Sequence, residues 1–477
     1  MKRLVPILGL LTVLLAGGCG RSPFAEWIDR DRPLATRLRE ADRSTSRTAG
    51  YEAVVPEQGG PEAYVRLALR RNPAIRAAEQ KVRRLANRIP QATSLDDPVV
   101  RIAPFGEMAE TAAGQVSVMT GVSQKLPLPG KLDTRGRIAG QAVAEAVQEL
   151  ERVRLEVVGD TRRAWWSFYY ATRAIEVTQR NGELLSQFRD VAEAKYGVGT
   201  ATQQDVLRAS LEMSNLDNEL IVLQQRQTTA RAMLNRMIDR PVASYLPVPV
   251  PRKPDAFELR LEELLAQARK INPRIHMVRE RIEGWRERRE LARLNRWPDL
   301  TVSFNYNLVD GEGLSAIANG EDQWWVGFGV NLPIWADRLA AAEHEATRGI
   351  LEGLAALDDE QNRVAFRVQD AFARVESEQD QVVLFRDVII PQAQQTVEAS
   401  ISGYRAGSLE FLTLVDNWRR LLDFRLMYHR TLARLEQSFA ELQEAVGQDL
   451  PRRGLGGGPD ATHDHDPQAP RPQGATP

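Results

Sequence analysis

The chain has 477 residues, in which 63 basic and 64 acidic side chains nearly cancel. This balance leaves no overall positive field and argues against a nucleic-acid partner. Charged residues make up 27% of the chain and aromatic residues only 6%, which favours long helices with solvated faces over a thick globular core.

Residues 1–18 have the pattern of an export signal. Lys2 and Arg3 precede an apolar run of about a dozen residues, which at ~1.5 Å per residue is too short to cross a bilayer. The segment resembles a bacterial lipoprotein signal, which implies that Cys19, the only cysteine, carries lipid in the outer membrane. The alternative is an ordinary signal peptide followed by a chance cysteine. We expect residues 19–60 to be a linker.

Residues 61–240 are predicted to contain helices, strands and one long hairpin. Apolar residues in the long helical stretch recur every three or four positions, as in Val143, Val147 and Leu150, which indicates a narrow coiled-coil seam. At ~1.5 Å per residue this helix would reach ~95 Å. The predicted elements are a helical stretch at about 61–95, two strands near 98–128, the long helix at 132–195, a tip near 196–204 and a returning helix at 202–238.

A proline-rich connection at 241–260 separates this unit from a second copy at 261–448. Strands near 300–334 and a tip near 404–411 follow in the same order. The landmarks that recur at about the same offset are Asn72-Pro73 with Asn272-Pro273, Pro98 with Pro298, and Tyr196 and Gly199 with Tyr404 and Gly407. The pattern indicates a tandem duplication. Because each shorter helix reaches only ~50–60 Å, we expect the returning helix 202–238 to stack end to end on helix 261–296.

The strand segments alternate between apolar and polar residues, which is typical of a sheet with two unlike faces. Trp324, Trp325 and Trp335 bracket one strand, as aromatic residues do at a membrane interface. No apolar stretch is long enough for a membrane helix, so we expect strands to make any crossing. About four strands per chain leave two open edges, and three copies would supply about twelve strands for one closed barrel. The alternative is a soluble, half-buried sheet.

The combined pattern resembles the TolC family of outer-membrane efflux channels. The resemblance covers about residues 61–448 and rests on VSQKLPLPGKL, WPDLTVSFNYN, WWVGFGVNLPIW and the tip sequences YGVGTATQQDVL and YRAGSLEFLTLV. It implies a mainly α-helical homotrimer with a 12-stranded membrane β-barrel and a periplasmic α-helical tunnel. It also implies two partners, a periplasmic adaptor and an inner-membrane pump of the resistance-nodulation-division type. The PLPGK stretch resembles the heavy-metal branch.

The resemblance also implies a gate at the tips. Asp205 and Tyr404 match the family's closing pair, whereas Leu409 stands where the family has an arginine, although Arg405 lies nearby. Asp416 matches one position of an acidic ring. The alternative is that both aspartates are solvated helix-end charges. Gly197, Gly199, Thr200, Arg405, Gly407 and Ser408 are the predicted turn and adaptor-docking residues.

Features of catalysis are lacking, so no enzyme activity and no cofactor are predicted. Single histidines on helices are assigned to solvent or packing. The WWSFYY cluster at 165–170 is assigned to packing between neighbouring helices, because six consecutive residues point all round a helix, and the alternative is that it lines the tunnel. His463 and His465 alternate with aspartates in the 449–477 tail, which is rich in Gly and Pro, and are weak candidates for Zn²⁺ or Cu²⁺ binding. A passive outer-membrane exit duct is the predicted function. The alternatives are a lipid-anchored periplasmic coiled-coil scaffold without a pore and a metal-binding protein that uses this tail.

Overall fold

The computed structural model describes residues 60–250, 255–256, 260–311, 313–314, 316–317, 320–451 and 453–454. The predicted export signal, Cys19, and the tail with His463 and His465 lie outside these residues. Among the residues that are described, no helix is both long enough and apolar enough to cross a membrane.

The first repeat is a run of short helices, two strands and one long helical hairpin. Its elements are α1 (Pro61–Arg71), α2 (Pro73–Ala86), α3 (Arg88–Thr93), β1 (Val99–Thr111), β2 (Gly114–Leu126), α4 (Lys131–Gly197) and α5 (Gln203–Met237). α4 alone has 67 residues. At 1.5 Å per residue it extends for about 100 Å, so the turn at its end lies far from the strands.

The second repeat has the same order of elements. They are β3 (Asp255–Ala256), α6 (Leu261–Ile271), α7 (Pro273–Leu294), β4 (Leu300–Asp310), β5 (Gln323–Val330), α8 (Ala336–Leu384), a π turn (Phe385–Ile389), α9 (Ile390–Ala406), α10 (Phe411–Val446) and β6 (Arg453–Gly454). The π turn interrupts the long arm and ends two residues before Pro391, a residue that has no N–H for an α-helical hydrogen bond. This interruption differs from the continuous long helix that the sequence pattern predicts.

Four strands form one antiparallel sheet in the order β1-β2-β4-β5. The central β2–β4 pair joins the two repeats, with Val122 opposite Phe304. β1 contains Pro104 and continues to Thr111, and its pairing with β2 shifts register between Pro104 and Ala109. An edge strand with an irregular register can accommodate a residue that cannot donate to the ladder. In the described sheet, β1 and β5 each pair along one edge only.

The duplicated Asn-Pro pairs join the helices of each repeat. Each asparagine caps the helix that follows it, and its buried side-chain amide donates to the end of a returning helix. Asn72 donates to the Met237 carbonyl at 3.0 Å, and Asn272 donates to the Ala445 carbonyl at 2.7 Å. The prediction that helix 202–238 stacks on helix 261–296 is therefore wrong. Each returning helix ends against the leading helices of its own repeat, because the capping asparagine supplies a donor to it there.

The main core lies midway along α4, where the leading helices and α10 pack against it. Trp165, Trp166 and Tyr169 are buried there, so the aromatic cluster has the packing role that its all-round distribution predicted. The proline-rich connection lies beside this core. Leu246 is buried in it, and Arg173 of α4 donates to a carbonyl of the connection.

A buried ion pair connects the strands to the long helix. Lys131, the first residue of α4, is 2% exposed and donates to Asp299 Oδ1 at 2.6 Å and to the Trp297 carbonyl at 2.8 Å. The Leu128 N–H donates to the same carboxylate oxygen at 3.1 Å. Lys125 lies 3.3 Å from the other oxygen and is far more exposed. Side chains of both repeats therefore fix the junction below the sheet.

Candidate functional site

The first tip is a helix ending followed by a tight reversal. Gly199 has φ +76°, a left-handed conformation that other residues rarely adopt, and its N–H donates to the Tyr196 carbonyl at 2.9 Å. The backbone N–H and the hydroxyl of Thr200 both donate to the Lys195 carbonyl. This is a Schellman ending, which satisfies the last carbonyls of α4. Gly197 is the last helical residue and has an ordinary negative φ.

The second tip repeats this geometry. Gly407 has φ +79°, its N–H donates to the Tyr404 carbonyl at 3.2 Å, and Ser408 donates through both backbone and hydroxyl to Gly403. Arg405, the neighbouring cation, has an exposed side chain. The two turns are thus equivalent, as the duplication predicts. Their role in adaptor docking stays a prediction.

The surroundings of the two tip tyrosines differ. Tyr404 is 5% exposed and belongs to a tip cluster that joins both hairpins; its ring lies 5.3 Å from that of Phe411. Tyr196, its counterpart, is 50% exposed. One tyrosine therefore anchors the packing between the hairpins, whereas the other remains at the surface.

Asp205 lies near Tyr404 but has a local partner. It is the third residue of α5, and its carboxylate accepts the Thr202 N–H at 3.3 Å in a capping box. Burial, and secondarily the charge of Asp205, raise the pKa of Tyr404. The Tyr404 hydroxyl makes no hydrogen bond with any described residue. The Asp205–Tyr404 gate stays a prediction, and the hydrogen bond to Thr202 supports the capping role of Asp205.

Lys195 makes the tip contact that the sequence analysis missed. Its ammonium donates to the Tyr404 backbone carbonyl and lies 4.6 Å from the centre of the Tyr404 ring. Lys195 immediately precedes the first tip motif. The only signal in the sequence was therefore a cation in the last turn of a helix, and no pattern showed which group it would bind.

Asp416 is paired within its own chain. It lies 3.6 Å from Arg419, one turn along α10, and Arg419 also contacts Glu212 of the first hairpin. The side chain of Glu212 is nearly buried, whereas that of Asp416 is about half exposed. An acidic position at the tip is thus accompanied by a cation, which the sequence analysis did not identify.

The predicted interface tryptophans are exposed at two levels of the sheet. Trp324 and Trp325 lie at the start of β5, opposite Tyr306 and Asn305 in the middle of β4, and Trp335 directly precedes α8. Trp297 is a fourth exposed tryptophan, at the helix end of β4. A strand rises about 3.3 Å per residue, so the two levels are about 20 Å or more apart.

No group of three or more histidine, cysteine or acidic residues suited to a metal ion exists in the part of the chain that the structure describes. His463 and His465 lie outside that part, so the structure does not test them. The tips and the sheet remain the candidate functional regions.

Comparison with known proteins places these features in a family. The sequence profile of the outer membrane efflux protein family matches residues 64–239 and 264–448. The cobalt-zinc-cadmium resistance protein CzcC of Cupriavidus metallidurans is 22% identical over 404 residues, 82% of this chain and 91% of that protein.

Solved structures share the fold. The outer-membrane channel OprN matches with a TM-score of 0.70 at 16% identity, over 82% of this chain and 90% of that chain. The outer membrane protein VceC from Vibrio cholerae matches with a TM-score of 0.67 at 18% identity, over 81% of this chain and 96% of that chain. The chain therefore belongs to the outer membrane efflux protein family, and it functions as an outer-membrane channel for efflux.

Proposed function

We propose that three copies of this chain form the passive exit duct of a tripartite efflux system. The observation that carries the trimer is the sheet, in which β1 and β5 each have one unpaired edge among the described residues. Open edges are not tolerated in hydrocarbon, and single-chain barrels begin at about eight strands. Three sheets joined edge to edge would close about twelve strands into a barrel.

The exposed aromatic residues support the placement of the sheet in lipid. Trp324, Val326 and Phe328 are all exposed on β5, and Trp335 follows at the helix end. An apolar band about 25 Å tall between aromatic girdles is the pattern of a membrane barrel. The two long hairpins would then continue about 100 Å into the periplasm as a tunnel.

The partners that we propose meet the tips. A periplasmic adaptor would dock on the turns at Gly199 and Gly407, and an inner-membrane pump of the resistance-nodulation-division type would supply the energy. Asp205, Tyr404 and Asp416 would belong to a gate that opens when the adaptor separates the hairpins. The chain itself would do no chemistry.

A divalent transition-metal cation is the cargo that we propose. The support is the likeness to CzcC, which extends over 82% of this chain. Expression in a host that has the matching adaptor and pump but lacks its exit channel should restore tolerance to cobalt, zinc or cadmium. Restored tolerance to organic drugs alone would contradict this choice of cargo without affecting the duct.

Two measurements test the duct. The detergent-extracted protein should have the mass of a trimer in light scattering. In planar bilayers it should give discrete conductance steps, which become larger or longer-lived when residues 196–204 and 404–411 are replaced by short glycine-serine linkers. A monomeric particle, or trimers that insert but never conduct even with both tips replaced, would favour the scaffold without a pore.

A further inference from the structure

The contact between Lys195 and Tyr404 joins the two repeats at their far ends. Lys195 lies in the last turn of α4, and Tyr404 lies 209 residues further along the chain in the last turn of α9. The Lys195 ammonium contacts Tyr404 at two places, its backbone carbonyl and the face of its ring. The lysine therefore holds both the main chain and the side chain of the second tip.

The end of α9 is a favourable place for this cation. The last carbonyls of a helix lack intrahelical partners, and the negative end of the helix dipole attracts positive charge. The face of a tyrosine ring adds a cation–π attraction. Phe411 lies against the ring and the apolar tip cluster buries it, so groups other than the lysine also hold the ring in place.

The alternative partners in the gate are engaged elsewhere or absent. The carboxylate of Asp205 accepts the Thr202 N–H. Leu409, at the position of the family's arginine, is uncharged and cannot pair with Asp205. The Tyr404 hydroxyl is buried without a hydrogen bond to any residue that the structure describes. Among the described residues, Lys195 makes a polar contact between the hairpins in the last turn before each tip, whereas the Arg419–Glu212 pair joins them further from the turns.

We propose that Lys195 is the residue that holds the gate closed, by fastening the first tip to the Tyr404 carbonyl and ring of the second. Lys195 is a positioning residue, because it holds the two hairpins of a subunit together. The hairpins cannot separate until this contact breaks. This inference rests on the proposed function, in which the tips form the gate. In this proposal the cation that closes the gate lies on the first tip, whereas the family pattern has it on the second tip, where this chain has Leu409.

The test compares single-channel currents of the unmodified trimer and four variants in planar bilayers. Lys195→Met removes the charge and keeps the length of the side chain, and Lys195→Arg keeps a cation. Tyr404→Phe removes only the hydroxyl. Lys270→Met, on an exposed residue of α6 far from the tips, makes the same charge change as Lys195→Met and is the matched control.

Lys195→Met should raise the ratio of open to closed time about tenfold, the equivalent of about 1.4 kcal/mol. Lys195→Arg should restore most of the closure, and Lys270→Met should behave like the unmodified protein. Tyr404→Phe keeps the carbonyl and a ring face, so it should change the ratio much less than Lys195→Met. The thermal midpoint of each trimer shows that it is folded. If Lys195→Met fails to assemble, Lys195→Gln serves in its place with the same expectation.

The results separate this inference from the proposed function. Opening by Tyr404→Phe, with no effect of Lys195→Met, would overturn the role of Lys195 and return closure to the Asp205–Tyr404 hydroxyl pair. Equal opening by Lys195→Met and Lys270→Met would overturn it as well, since loss of any positive charge would then suffice. Absence of current in every variant and in the tip-replaced protein would refute the channel itself.

Discussion

Lys131 is nearly fully buried, and its ammonium has an acidic partner and a carbonyl partner. We expect Lys131→Met to lower the free energy of unfolding by about 3 kcal/mol, because it leaves the carboxylate of Asp299 buried with only the more exposed Lys125 nearby. Chemical or thermal unfolding of the purified trimer in detergent measures this loss.

Lys125 provides the matched comparison for this ion pair. It approaches the same carboxylate at 3.3 Å, but its side chain is 44% exposed. An exposed ion pair contributes about 1 kcal/mol or less, so Lys125→Met should cost much less than Lys131→Met. Equal costs for the two substitutions would show that burial of Lys131 does not govern the stability of the junction.

His429 should make stability depend on pH. Burial, with a smaller effect of the nearby Arg173 charge, lowers the pKa of His429 to about 4. The unfolded chain binds this proton at about pH 6.5. Folding therefore favours the neutral imidazole. Its contribution to the free energy of unfolding is complete above about pH 6.5 and is lost as the pH falls toward 4. We expect a loss of about 3 kcal/mol, measured as the free energy of unfolding between pH 7 and pH 4.

A second histidine controls for general acid effects. His429→Leu should flatten the dependence on pH between 4 and 6.5, because no imidazole remains to be protonated at that position. His344→Gln changes a histidine exposed on α8 and should leave the dependence as it was. An unchanged slope in His429→Leu would show that other groups cause the acid sensitivity.

At the scale of elements, small residues set how closely α7 and α8 approach. A Cβ on Gly353 would lie 2.7 Å from Ile282 Cγ1, a buried side chain of α7. Overpacking of this kind costs about 1–3 kcal/mol. We therefore expect Gly353→Ala to destabilise the trimer by about 2 kcal/mol, even though alanine is the better helix former.

Gly284 provides the opposite case. It also lies within α7, but a Cβ there would meet only Gln141 at an ordinary 3.6 Å. Gly284→Ala should therefore stabilise the protein by about 0.5–1 kcal/mol, the usual gain in helix propensity. Thermal unfolding of both variants compares them directly. Stabilisation by Gly353→Ala would show that the two helices can move apart without cost.

The elements could be predicted from the sequence where local periodicity determines them. The seam of α4 and the glycines at 199 and 407 carried enough local information to locate the arms and both turns. The partner of Asn72 could not be inferred, because a donor on one helix gives no sign of which distant carbonyl will accept from it. The way in which β1 accommodates Pro104 could not be inferred either, because it depends on the register of β1 against β2 rather than on local propensity.

For the candidate site the same limit applies more strongly. The turn geometry follows from residue types, but the contact of Lys195 depends on how two hairpins about 200 residues apart pack together. Likewise, the partner of Asp416 one turn along its helix could have been inferred, whereas the reach of Arg419 to Glu212 could not. Tertiary packing, which local patterns do not encode, decides these contacts.

At the scale of the whole molecule, the two repeats are alike where they are joined and unlike where they end. The capping asparagines make equivalent bonds in both repeats. At the tips, one tyrosine is buried against the other hairpin and its counterpart is exposed. The duplicated helices and their equivalent caps thus give the molecule its length and its internal symmetry. The divergent tips give the molecule a contact between its hairpins that the two repeats do not share equally.

The net charge at the tip constriction depends on how the carboxylate of Asp416 is paired. If three subunits surround one axis, each contributes the carboxylate of Asp416 together with the guanidinium of Arg419, which lies 3.6 Å away. Arg419→Gln would remove three positive charges from that ring and leave the acidic groups. We expect the preference for cations, measured as the reversal potential in a salt gradient across a planar bilayer, to rise severalfold.

Arg420→Gln makes the same change in net charge at the next residue and should shift the potential much less. Since Arg419 also contacts the nearly buried Glu212, the thermal midpoint must show that the Arg419→Gln trimer is intact. Equal shifts in the two variants would mean that overall charge, rather than the pairing of Asp416 with Arg419, sets the selectivity of the tip.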